Sequence, residues 1–112
     1  MSSDHIHSLP LDEILDKLRQ GMADILGDRL AGIYLYGSHA REEACAESDI
    51  DVLIVLYGQF DYFDLVLETN PLTASLSLEY DVVISQVFAT REQLESESTP
   101  LLMNVLREGT PV

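Results

Sequence analysis

Two aspartates one residue apart, Asp49 and Asp51, open an apolar run, Val52-Leu53-Ile54-Val55. Ten residues separate Asp49 from Ser38, in the segment Tyr36-Gly37-Ser38-His39-Ala40-Arg41. Residues i and i+2 of a strand point to the same side. Asp49 and Asp51 therefore aim two carboxylates at one place. Two hard oxygen ligands suit Mg²⁺, which takes a few carboxylates and keeps positions for water and phosphate. The Gly37-Ser38 turn can offer backbone N–H groups and a hydroxyl to phosphate oxygens at the start of a helix. A cation and a phosphate cradle together are the equipment of phosphoryl or nucleotidyl transfer.

A third acid, Asp81, stands directly before Val82-Val83-Ile84. If that strand lies beside the one headed by Asp49 and Asp51, the three acids converge. Three carboxylates in one cleft repel each other unless a cation sits among them. A lone Asp at a strand end can instead be a cap. A pair at the head of an apolar strand is harder to explain that way, because unpaired charge on a buried face is costly. Arg41 can reach a phosphate or pair with Glu42, Glu43 or Glu47. His39 is read as a loop residue rather than an acid–base group, and Cys45 has no neighbouring base to lower its pKa.

The elements that must hold these groups can be read from periodicity. Leu11, Ile14, Leu15, Leu18, Met22, Ile25 and Leu26 recur at steps of three and four, an amphipathic helix that Gly27 stops. Leu30 to Tyr36 reads as a first strand, apolar on both faces, and Asp49 to Tyr57 as a second. A short helix is expected from Ser38 to about Glu43. Residues 60 to 69 fit either helix or strand. Asn70-Pro71 resembles a cap followed by a helix to about Leu78. The third strand is expected over Glu79 to Val87, with Val82, Val83, Ile84 and Val87 in the core. A short helix over Arg91 to Ser96 and a last one from Pro100 follow, the latter with Leu101, Leu102, Val105 and Leu106 as its buried stripe. Gly109 closes it before a stub of strand at Thr110 to Val112. Strands alternating with helices make an α/β domain.

The chain of 112 residues, 46% hydrophobic, is sized for one domain over 1–112, with 1–9 a flexible tail. Its formal net charge is −14, from twenty Asp or Glu against six Lys or Arg. That excludes a broad grip on a nucleic-acid backbone, whose footprints are basic. It suits a basic protein partner or a high-salt cytoplasm. One cysteine rules out an intrachain disulfide and a multi-cysteine zinc site. The N-terminus lacks signal-peptide features and no run is long enough to span a membrane, so a cytoplasmic location is expected.

The full pattern, Tyr-Gly-Ser-x-Ala-Arg followed by Ser-Asp-Ile-Asp-Val-Leu, resembles the signature of the DNA polymerase beta-type nucleotidyltransferases. It is most similar to their small stand-alone branch, the minimal nucleotidyltransferases, which are often made beside an HEPN-domain protein. Tyr80-Asp81-Val82-Val83 resembles the family's strand with the third acid, and Ser98 to Gly109 more loosely resembles its closing helix. The resemblance implies a small mixed sheet flanked by helices. It implies that Gly37 and Ser38, with Arg41, hold the triphosphate, and that Asp49, Asp51 and Asp81 bind one or two Mg²⁺ ions and form the catalytic triad. It implies AMP transfer from ATP to a hydroxyl, a tyrosine of an HEPN ribonuclease toxin, with this chain as antitoxin. Transfer to a small molecule and inhibition by contact alone are the competing readings, and a homodimer is a further option.

Overall fold

The computed structural model describes residues 10–37 and 49–112. Helix α1 spans Leu11–Leu26 and is followed by a 3-10 turn at Gly27–Arg29. Strand β1 is Leu30–Tyr36 and β2 is Ile50–Leu56. Helix α2 is Tyr62–Tyr80, β3 is Ile84–Thr90, α3 is Arg91–Glu95, α4 is Pro100–Glu108, and β4 is Thr110–Pro111. The strands form one mixed sheet in the order β3-β2-β1-β4. β1 pairs antiparallel with both β2 and β4, while β2 and β3 run parallel. Parallel neighbours need a crossover, and α2 supplies it.

The alternation along β2 divides the core. Ile50, Val52, Ile54 and Leu56 pack with α1 and α2, against Ile14, Leu18, Met22, Leu65 and Leu76. Leu53 and Val55 face the other way, toward Leu94, Leu102 and Val105 of α3 and α4. β2 is thus covered on both faces, which is why it reads as an unbroken apolar run. The α1–α2 contact is close, since a Cβ on Gly21 would fall 2.6 Å from Leu72 Cδ1. Exposed ion pairs such as Lys17–Glu79 and Arg29–Glu68, both at 2.7 Å, add little beside this burial. Leu53, wholly buried, should be the test of the smaller core. Leu53→Ala is expected to lower stability by about 2–5 kcal/mol, measured by urea unfolding. A loss below 1 kcal/mol would mean the helices of that face contribute little.

Three sequence expectations change. The ambiguous residues and the helix expected from Pro71 are one helix that passes through Pro71. Its cap is Asp61, whose side chain accepts from the Asp64 N–H at 3.1 Å, not Asn70. Pro71 lies on the exposed side of α2, where water can satisfy the carbonyl left without its helical partner. The third strand begins at Ile84 rather than Glu79, because the helix runs on to Tyr80. Val82 and Val83 precede the strand, and Val83 is 57% exposed. In α4, Leu102 and Val105 are buried but Leu106 is largely exposed. Helix α1 and strand β1 stand as read, and α4 is capped by Thr99, which accepts from the Leu102 N–H at 3.2 Å.

Candidate active site

The end of the sheet where β1 stops and β2 starts carries the acid pair. Asp51 lies opposite Tyr36 of β1 and level with Ser85 of β3. By alternation its side chain shares a face with Leu53 and Val55, the α3–α4 side. Asp49 is exposed and immediately precedes β2. The ladder already reaches this point, since the Ile50 N–H donates to the Val83 carbonyl at 2.8 Å. Asp51 thus stands at the start of the ladder at this end of the sheet, and Asp49 lies just before it in the chain.

Gly37 meets this pair directly. Its φ is +76°, in the left-handed region, and a Cβ there would lie 2.6 Å from Asp51 Oδ2. Both facts call for glycine: the backbone conformation disfavours side chains, and the carboxylate occupies the space one would fill. The turn and the acid, fourteen positions apart in the chain, meet closely. Ser38 and Arg41, with His39, Cys45 and the short helix expected from Ser38, lie outside the described residues.

Asp81 does not stand where the sequence suggested. It is the left-handed residue that ends α2, with φ 54° and ψ 51°, and its N–H donates to the Ser77 carbonyl. An Asp is one of the few side chains that tolerate this conformation. Two residues separate it from the first residue of β3, so it is not a strand residue aligned with Asp51. Among the described residues no group of three or more His, Cys, Asp or Glu side chains could hold a metal. The structure brings Asp51 and Gly37 together, with Asp49 one residue before β2 and Asp81 at the end of α2 rather than in β3.

Two neighbours of Asp51 were not singled out from the sequence. Tyr36 flanks it on one side, and its phenol pKa is raised above the ordinary tyrosine value, first by burial and second by the negative charge of Asp51. Ser85 flanks it on the other side. Tyr36 was visible as the residue before the Gly-Ser turn, but only the strand register places either beside the acid. A set of two carboxylates is enough for a divalent ion that completes its shell with water and phosphate. Gly37 stands close beside the Asp51 carboxylate, and a carboxylate next to a glycine turn is a donor set that fits a metal–triphosphate group.

Sheet, crossover and acid pair define a nucleotidyltransferase. Residues 15–111 match the model of the nucleotidyltransferase domain family, and the chain belongs to that family. Members generally work with a divalent metal. A candidate protein adenylyltransferase of Methanocaldococcus jannaschii is 40% identical over 82 residues, covering 72% of this chain and 76% of that protein. A crystal structure of a toxin–antitoxin with AMP-PNP superposes with a TM-score of 0.63 at 25% identity, over 86% of this chain and 69% of that one. The fold is shared with a Shewanella oneidensis complex of a tri-AMPylated HEPN toxin and its MNT antitoxin. There the TM-score is 0.50 and the identity 20%, over 89% of this chain and 66% of that one. Among the described residues no helix is long and apolar enough to cross a membrane.

Proposed function

We propose that this chain is a Mg²⁺-dependent protein adenylyltransferase that moves AMP from ATP onto a tyrosine hydroxyl of an HEPN-domain toxin and so acts as its antitoxin. The observation that supports this reading is the close approach of Gly37 to Asp51, a glycine beside the carboxylate that the reading assigns to the metal. The adenylyltransferase relative supports the reaction, and the toxin–antitoxin neighbours support the partner.

Asp49 and Asp51 hold the cation, and Gly37 and Ser38 bind the triphosphate, with Arg41 as a further phosphate ligand. When bound, the divalent ion offsets phosphate charge and favours in-line displacement. The acceptor oxygen attacks the α-phosphorus and forms a new P–O bond. The bond between the α- and β-phosphates breaks, and pyrophosphate leaves. The hydroxyl proton passes to a carboxylate, and Asp81, near the same end of the sheet, is assigned that part. Tyr36 walls Asp51 from water on the β1 side. The partner is assigned the remainder of the acceptor's surroundings.

Incubating the chain with the HEPN-domain protein of the same organism, ATP and Mg²⁺ should raise the partner's intact mass by one adenylate residue per transfer. Peptide mapping should place the adduct on tyrosine. Neutralisation of toxicity without any mass gain would replace catalysis by inhibition through contact. Transfer to a small hydroxyl compound with the partner left unmodified would move the activity to a small-molecule substrate.

A further inference from the structure

Helix α2 is apolar on two opposite sides. Its inner side, Leu65, Thr69, Thr73 and Leu76, is buried. On the outer side Phe63, Leu67, Asn70, Pro71, Ala74 and Leu78 follow at steps of three and four, a single uncharged stripe along the helix. Phe63 is 69%, Leu67 61% and Leu78 86% exposed. A surface helix normally turns charge to water on that side, and a helix apolar all round is one that is covered all round. From Thr69 to Leu78 the helix has no charged residue at all.

Charge points to the kind of surface that covers it. Between Arg41 and Arg91 the sequence has ten acidic residues and no basic one. The stripe therefore lies in a wholly acidic stretch, with Asp61 and Asp64 at one end and Asp81 at the other. A second copy would bring two bodies of formal charge −14 together, which self-repulsion opposes. A protein that offers an apolar seat edged with Lys and Arg meets both features. The stripe also leads to the active site. Its Leu78 end is followed by Asp81 and by the exposed Val83, whose carbonyl accepts from Ile50 beside Asp49.

We infer that the outer face of α2, from Phe63 to Leu78, is the docking surface for the protein substrate, seating an apolar, basic-edged patch of that partner so that its acceptor hydroxyl reaches the Asp49–Asp51 end of the sheet. This rests on the protein-adenylyltransferase reading and adds to it the surface that selects the substrate.

The test uses the full chain and the HEPN-domain protein of the same organism. Leu67→Gln with Leu78→Gln alters two exposed positions, so the thermal unfolding curve should stay that of wild type. Phe63→Ser with Leu67→Gln is the second variant, should the first misfold. Calorimetry should show the Kd for the partner raised about ten-fold or more. In transfer assays KM for the partner should rise while kcat at saturating partner is kept. Partner affinity equal to wild type in both folded variants would overturn the inference. So would a wild-type dimer, seen by sedimentation, that either variant dissolves, since the stripe would then belong to a second copy. Tight binding abolished by the variants, but with no AMP transfer in wild type, would support the docking surface and sink the catalytic reading. A wild-type chain that fails to bind this partner at all would remove the partner assignment and the docking surface with it.

Discussion

Asp49→Asn together with Asp51→Asn should abolish nucleotidyl transfer and leave the fold intact. Asp51 lies opposite Tyr36 at the end of the sheet, and Asp49 immediately precedes the strand. Removing both takes away the anionic part of the metal site, while the amides keep the size of the side chains. Charge stabilisation by a metal in phosphoryl chemistry is worth several kcal/mol, so a loss of about a thousand-fold or more is expected. The core lies deeper: Ile50 and Val52, on the other side of the strand, are wholly buried and untouched. The circular dichroism spectrum and unfolding midpoint should therefore stay close to wild type. Calorimetry with ATP and Mg²⁺ should show binding weakened strongly. Equal binding in wild type and variant, with transfer retained, would remove the acid pair from the mechanism.

Gly37→Val should be nearly as damaging, for a different reason. At φ +76° an L-residue carries about 1–2 kcal/mol of backbone strain, and β-branching makes this worse. The new Cβ would also start 2.6 Å from Asp51 Oδ2. Either the turn twists or the carboxylate is driven out of place. Both outcomes disturb the proposed triphosphate and metal groups at once, so nucleotide affinity should fall about ten-fold or more, alongside a lower unfolding midpoint. Gly37→Ala has the same first atom in the same place and should fall between. ATP affinity unchanged in the valine variant would mean that the turn does not meet the nucleotide.

The parts of the fold that were legible are those whose signal is local. Helix α1 shows its period over sixteen residues and ends at Gly27, and β1 ends where Gly37 changes the sign of φ. The place of Asp51 was legible because strand alternation alone sets its side chain on the face of Leu53 and Val55. What was not legible depends on partners distant in sequence. Tyr80, expected in a strand, is drawn to helix α1 by a hydrogen bond from its hydroxyl to Glu13, and Glu79 by Lys17 at 2.7 Å. Those contacts accompany a helix that packs on α1, with Tyr80 partly buried against the core at its last residue. Asn70-Pro71 imitates a helix start, yet the covered inner side on either side of it keeps the helix continuous. The flanking of Asp51 by Tyr36 and Ser85 follows from register, which no local pattern fixes.

The contact between Gly37 and Asp51 has a thermodynamic side. Two groups that touch through a glycine with no side chain to spare cannot settle independently. A ligand that fixes the turn narrows the positions open to the carboxylate, and an ion that fixes the carboxylate narrows those of the turn. Their binding is then linked, and linkage is reciprocal: the factor by which nucleotide tightens the metal equals the factor by which metal tightens the nucleotide. Titrating each in the presence and absence of the other would give the same coupling from both directions.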